Sequence, residues 1–173
     1  GNHETTRLCA VRLVEAAREW GESVPERSVI DAGCGSGILA ISAAKMSFGK
    51  IYGFDIDMAA VDIAKENAVE NLMQDRIEFA AAGMEAGLKD RRADIVMANI
   101  LANVLSQNAE RLLDCVLPGG KLVLSGILAK ELADVKAVYE PNAEEMWGAC
   151  EIKSRIDGEW ADLLLCRPSK PVA

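Results

Sequence analysis

The stretch that most restricts this chain is Asp31-Ala32-Gly33-Cys34-Gly35-Ser36-Gly37, in which three alternate glycines separate a short apolar run, Ser28 to Ala32, from an apolar helical stretch that begins at Ile38. Glycines at a strand-to-helix junction leave the backbone bare, so a ligand can come close to the N–H groups at the helix start. The next apolar run, Lys50 to Phe54, is closed by Asp55. A carboxylate at that place can accept hydrogen bonds from both hydroxyls of an adenosine ribose. Loop and acid together predict a strand–helix–strand unit built around a nucleoside-like ligand, whereas glycines that only make a tight turn would leave Asp55 without a role.

The rest of the chain continues the alternation. Upstream, 5–20 carries Leu8, Val11, Leu13, Val14 and Ala17 close to helical spacing, with Thr5 or Thr6 placed to cap the start. After the loop, the pattern predicts a helix over 38–46, a strand over 50–54, a helix over 59–71, a strand over 77–80 and a loop rich in Ala and Gly. A strand over 93–98, a helix over 104–116, a turn at Pro118-Gly119-Gly120, a strand over 121–125 and a helix over 128–139 follow. The last stretch differs: 146–155 and 160–167 read as two extended runs joined by Asp157-Gly158, a dipeptide suited to a tight hairpin turn. Only 168–171 looks prone to fray.

Strands that alternate with helices line up in parallel. The expectation is one α/β domain over 1–173, with a Rossmann-like, mostly parallel seven-stranded sheet, helices on both faces and a C-terminal antiparallel hairpin. Composition agrees, because the chain is 50% hydrophobic but only 5% aromatic, and Ala, Leu, Ile and Val supply the apolar mass.

Two further elements belong to the candidate site. Asn99 follows the apolar run Ile95-Val96-Met97-Ala98 and should emerge at the carboxyl edge of the sheet, where open α/β sheets bind ligands. Its amide can accept an N–H from a nucleophilic nitrogen and leave the lone pair free; an Asn at a strand end is otherwise a cap or turn residue. His3, Thr5 and Thr6 open the first helix, whose N–H groups and hydroxyls suit the carboxylate of a bound amino acid.

The formal net charge of −8 argues against nucleic acid bound through a broad basic face and suits a basic protein partner better. Apolar runs are far shorter than the roughly 20 residues a membrane helix needs, and the N-terminus lacks the basic start and apolar core of a secretory signal, so a cytoplasmic location is expected. The five cysteines include no CxxC pair, and no metal site is expected.

Glycine loop and acid also satisfy the loose dinucleotide fingerprint, Gly35-x-Gly37-x-x-Ala40 with Asp55. Three features favour the methyltransferase form instead: the Gly33-x-Gly35-x-Gly37 spacing, the preceding Asp31 and the lack of a second nucleotide-binding half. Gly1-Asn2-His3-Glu4-Thr5-Thr6-Arg7-Leu8, Asp31 to Ser42, Asp55-Ile56-Asp57, Ala98-Asn99-Ile100-Leu101-Ala102, Leu124-Ser125-Gly126-Ile127-Leu128 and Gly158-Glu159-Trp160 follow one another in an order that resembles the PrmA family, the ribosomal protein L11 methyltransferases.

The resemblance implies S-adenosyl-L-methionine as cofactor, S-adenosyl-L-homocysteine as product, and methylation of lysine and N-terminal amines of a ribosomal protein. It implies cofactor contacts at His3, Thr5, Thr6, Asp31, Gly33, Gly35, Gly37, Asp55, Ile56 and Asn99, with Asn99 also orienting the amine and no dedicated base. Family members carry a separate N-terminal recognition domain, and this chain begins within the motif that follows it, so the recognition module is expected to be absent here. The alternatives are a methyltransferase of a small molecule or another protein, a nicotinamide-dependent oxidoreductase and a non-catalytic cofactor-binding module.

Overall fold

The computed structural model describes residues 3–170. Its seven strands are β1 (Ser28–Ala32), β2 (Lys50–Asp55), β3 (Ile77–Ala81), β4 (Ala93–Asn99), β5 (Val116–Leu128), β6 (Glu151–Asp157) and β7 (Trp160–Cys166). They form one sheet in the order β3-β2-β1-β4-β5-β7-β6. The first five are parallel, and β7 runs antiparallel between β5 and β6, as the expected fold class requires. The chain steps outward from β1 to β3 and then returns to β4 on the other side of β1. That reversal opens a crevice above the carboxyl ends of β1 and β4.

Seven helices cover the sheet: α1 (His3–Trp20), α2 (Ile38–Lys45), α3 (Met58–Glu70), α4 (Met84–Leu88), α5 (Ala102–Gln107), α6 (Ala109–Asp114) and α7 (Leu132–Trp147). Successive strand residues face opposite sides. Val29, Ile51, Ile95, Met97 and Val123 pack against α1, α2 and α3 through Leu13, Leu39, Ala40 and Ala68. Ile30, Phe54, Val96, Leu122 and Leu124 pack against α4 to α7 through Leu88, Leu105, Leu112, Tyr139 and Trp147. Strands clad on both faces read as near-continuous apolar runs, which is how they stood out in the sequence.

Six features differ from expectation. Helix α1 begins at His3, so Thr5 and Thr6 lie inside its first turn instead of capping it. The loop expected after β3 contains α4, whose Gly87 rests on the Phe54 ring, where an added Cβ would lie 2.5 Å from Cδ2. The helix expected over 104–116 is two helices, interrupted at Asn108, whose amide donates to the Val104 carbonyl; such local side-chain bonding competes with helix continuation. Strand β5 starts at Val116, with its pairing to β4 interrupted around Pro118-Gly119-Gly120.

Helix α7 continues past Tyr139 to Trp147 and takes in Met146, where the sequence pattern predicts the start of an extended run. Its buried stripe, Tyr139, Ala143 and Trp147, holds it helical through Pro141 despite the missing N–H. At the hairpin, Asp157 pairs with Trp160, so the turn residues are Gly158 and Glu159, one position later than expected. Of the tail expected to fray, Pro171 lies outside the described residues, as do Gly1 and Asn2 of the opening motif.

Candidate active site

At the crevice, the glycine loop turns from β1 to α2. The Gly33 and Cys34 amides both donate to the Phe54 carbonyl, at 2.8 and 2.9 Å, which ties the loop to the end of β2. One oxygen of Asp55 accepts the Gly35 amide at 2.9 Å, and the other accepts the Asp57 amide at 3.0 Å. Each carboxylate oxygen retains further acceptor capacity.

The three glycines serve different ends. Gly35, at φ +51°, has open space where a Cβ would stand, so a side chain there would project into ligand space. A Cβ on Gly33 would lie 2.5 Å from Ile100 Cγ2, and one on Gly37 would lie 2.9 Å from both Ala64 and Phe79. Gly33 therefore admits the segment after β4, and Gly37 lets α2 settle against α3 and β3.

A cleft of about 480 Å³ lies between this loop and the first turns of α1, within the range of small-molecule and cofactor sites. His3, Thr6, Asp31, Gly33, Gly35 and Asn99, all expected at the site, line it. Arg7, Ala10, Ser36 and Ile38 join them and were not singled out by the sequence. Asn99 Nδ2 stands 3.5 Å from Thr6 Oγ1, so the end of β4 and the start of α1 meet across the cleft. Asp55 stands behind the loop. Ile56 is 82% exposed, with its Cδ1 3.9 Å from the Cβ position of Gly83 at the start of α4. Gly37, Thr5, Asp55 and Ile56 do not line the cleft: Thr5 is buried, and its carbonyl accepts the Ser125 hydroxyl at 2.9 Å.

Asp31 is 1% exposed, and its carboxylate accepts the Ala40 amide at 3.2 Å. Burial pushes its pKa up to about 7; the Ala40 bond works against this, and the charge of Asp55 adds to it. Burial likewise pushes the Cys34 thiol up to about 12, so it stays protonated and unreactive at neutral pH. Among the described residues, no cluster of three or more His, Cys, Asp or Glu is placed to hold a metal ion.

A larger cleft, of about 690 Å³, lies between α1 and the β6–β7 hairpin. Its charges satisfy one another: Lys121 meets Glu19 at 2.9 Å, Lys153 meets Glu151 at 2.9 Å, and buried Arg12 grips Asp162 through two bonds of 2.7 and 2.9 Å. It is largely a salt-bridged seam, in which Arg167 donates to the Val116 carbonyl instead of meeting a carboxylate.

The family model described as ribosomal protein L11 methyltransferase (PrmA) matches residues 1–167. The chain belongs to this family. A ribosomal protein L11 methyltransferase of Methylococcus capsulatus is 45% identical over 146 residues, covering 84% of this chain and 47% of that protein. One from Cupriavidus metallidurans is 40% identical over 171 residues, covering 99% and 51%. The chain thus spans about half the length of the curated relatives it matches.

Among solved structures, a ribosomal protein L11 methylase of Lactobacillus delbrueckii subsp. bulgaricus superimposes with a TM-score of 0.81 at 29% identity, over 97% of this chain and 81% of that one. An RNA methyltransferase of Salinibacter ruber in complex with S-adenosyl-L-homocysteine, 21% identical, superimposes with a TM-score of 0.67 over 93% and 91%, and shares the fold. In this L11 methyltransferase family member, the residues missed by sequence reasoning are mostly structural. Arg12 and Asp162 pin α1 to β7, and the Gly126 Cβ position lies 2.5 Å from the Ile100 carbonyl oxygen. Arg12 lies on the buried face of α1 beside Leu8, Cys9, Leu13 and Ala16.

Proposed function

We propose that this chain is a catalytic domain that transfers a methyl group from S-adenosyl-L-methionine to a lysine or N-terminal amine of a ribosomal protein. The observation that carries the reading is the meeting of three elements at the β1/β4 crevice: the glycine loop with Asp55 behind it, the first turn of α1, and Asn99. The residues present fit the cofactor. Gly35 leaves ligand space open, the free acceptor capacity of Asp55 suits two ribose hydroxyls, and Ile56 beside Gly83 offers an apolar rim for the adenine. The start of α1 suits the methionine carboxylate, and buried Asp31 suits a nearby ammonium.

The cofactor supplies an electrophilic methyl carbon on a sulfonium. The protein's task is alignment, worth about 7–11 kcal/mol where nucleophile and electrophile are held in line. Asn99, at the cleft wall, accepts an N–H of the amine through its side-chain oxygen and turns the lone pair toward the methyl group. An amine with reference pKa near 10.4 is about 0.1% neutral at pH 7.4. Desolvation at the cleft mouth would favour the deprotonated form, and this reading assigns no dedicated base, with Asp31 and His3 of the lining kept for the cofactor. Nothing in the charge pattern supports a nucleic-acid partner, and among the described residues no helix is long and apolar enough to cross a membrane. We place the activity in the cytoplasm, where ribosomal proteins are assembled.

Incubation with methyl-labelled S-adenosyl-L-methionine and a ribosomal extract, read by gel and mass spectrometry, tests the assignment. Label on protein L11 supports it. Label on a small molecule, or on no component despite measured cofactor binding, refutes the proposed acceptor.

A further inference from the structure

Ser125 lies in β5, and its strand partner on β4 is Asn99. It is fully buried, yet its hydroxyl reaches out of the sheet to donate to the Thr5 carbonyl at 2.9 Å, with the Cys9 thiol against the same hydroxyl. That carbonyl belongs to the turn of α1 that presents His3 and Thr6 to the cleft. The next residue, Gly126, has φ +78°, and a Cβ there would lie 2.5 Å from the carbonyl oxygen of Ile100 and 3.1 Å from its nitrogen. Two adjacent residues of β5 thus hold opposite walls of one site: the start of α1 through Ser125, and the Asn99-Ile100 segment through Gly126.

Sheet interiors are ordinarily filled by apolar side chains, and a buried hydroxyl is unfavourable unless it is bonded. A carbonyl inside a helix already has an N–H four residues on as its partner. The Ser125 bond therefore adds little to α1 as a helix. What it adds is lateral, because it sets the height and rotation of the first turn against β5.

We propose that Ser125 is a positioning residue for methyl transfer, registering the cofactor-binding turn of α1 against the strand end that carries Asn99. The proposal rests on the function assigned above. Through it, a displacement of α1 is felt at both the donor and the acceptor half of the site.

The test is a double-mutant cycle between Ser125→Ala and Thr6→Ala, with Ser125→Cys as a near-isosteric second variant should alanine disturb folding. S-adenosyl-L-homocysteine affinity is measured by calorimetry, kcat with labelled donor, and stability by urea unfolding. Loss of one hydrogen bond predicts about three- to tenfold weaker binding in Ser125→Ala together with a lower kcat. With Thr6 already removed, the further loss should be under about twofold, since both residues act through the same turn. Unchanged affinity alongside reduced stability overturns the proposal, and so do penalties that simply multiply in the double variant. If the native chain binds no S-adenosyl-L-homocysteine at all, the functional reading falls and this inference falls with it.

Discussion

Asp31→Asn should make the domain more stable at pH 8 while weakening its hold on a cationic cofactor. Asp31 is buried in the wall of the cleft with the Ala40 amide as its hydrogen-bond donor, and its pKa is pushed up to about 7 from an unfolded value of 3.8. The folded state therefore binds this proton more tightly than the unfolded state does. Stability is unaffected below about pH 3.8, falls as pH rises from there, and is fully reduced above about 7. At about 1.4 kcal/mol for each of roughly three pH units, the cost at pH 8 approaches about 4 kcal/mol, an upper value because relaxation and water entry reduce it.

An asparagine keeps an oxygen for Ala40 and cannot ionise. Recovering even about 2 kcal/mol would raise Tm by about 4–8 °C for a domain of this size. The assay is thermal unfolding of both proteins from pH 4 to pH 8, with calorimetric binding of S-adenosyl-L-homocysteine at each pH. The curves should converge at pH 4 and separate toward pH 8, with the affinity of the native protein rising through pH 7 and that of the variant staying flat. A variant equally or less stable at pH 8 would refute the reasoning, since the buried charge would then carry no penalty.

Asn99→Ala should lower kcat by about a hundredfold, the scale of removing one group aimed at the reacting centre, while S-adenosyl-L-homocysteine affinity stays within about threefold; unchanged turnover removes Asn99 from the mechanism. Asp162→Asn removes the two-bond partner of the buried Arg12 guanidinium and leaves it only Glu15, at 3.5 Å, and should cost about 3 kcal/mol in urea unfolding; a loss under about 1 kcal/mol would mean that α1 is held to β7 by packing alone. Gly35→Ala should weaken cofactor binding, because the space at its Cβ is open to the cleft, and should also cost some stability, because its φ of +51° disfavours any side chain; circular dichroism and calorimetry on one sample separate the two effects.

What was legible in the sequence was local. Asp31 to Gly37 declares itself because strand, glycines and helix are contiguous, and Asp55 because it ends the very next strand. Strands β1, β2, β4, β5 and β7 stood out because burial makes them apolar over most of their length, and the β6–β7 hairpin because Gly158 marks its turn. The misread elements depend on distant partners. Pro141 looks like a helix stop until the stripe Tyr139, Ala143 and Trp147 is seen against the sheet. The Ala/Gly stretch after β3 looks like a loop until Gly87 is found on the Phe54 ring.

The site divides in the same way. His3, Thr6, Asp31, Gly33, Gly35 and Asn99 come together because the order of strands brings the ends of β1 and β4 side by side, an arrangement implied by strand–helix alternation. Thr5 and Thr6 are adjacent and chemically identical, so sequence could not separate them. The step of about 100° between successive helical residues sends Thr6 to the cleft and Thr5 to the interior. Ser125, 120 positions from the carbonyl it binds, carried no local signal of its contact.

The most direct test of the central claim is a crystal structure of the chain with S-adenosyl-L-homocysteine. The account predicts the ligand between the Gly33 to Gly37 loop and the first turn of α1, with its ribose on Asp55 and its homocysteine end toward Asp31 and Thr6. Ligand bound in the cleft between α1 and the β6–β7 hairpin, or no ligand at saturating concentration, would contradict it.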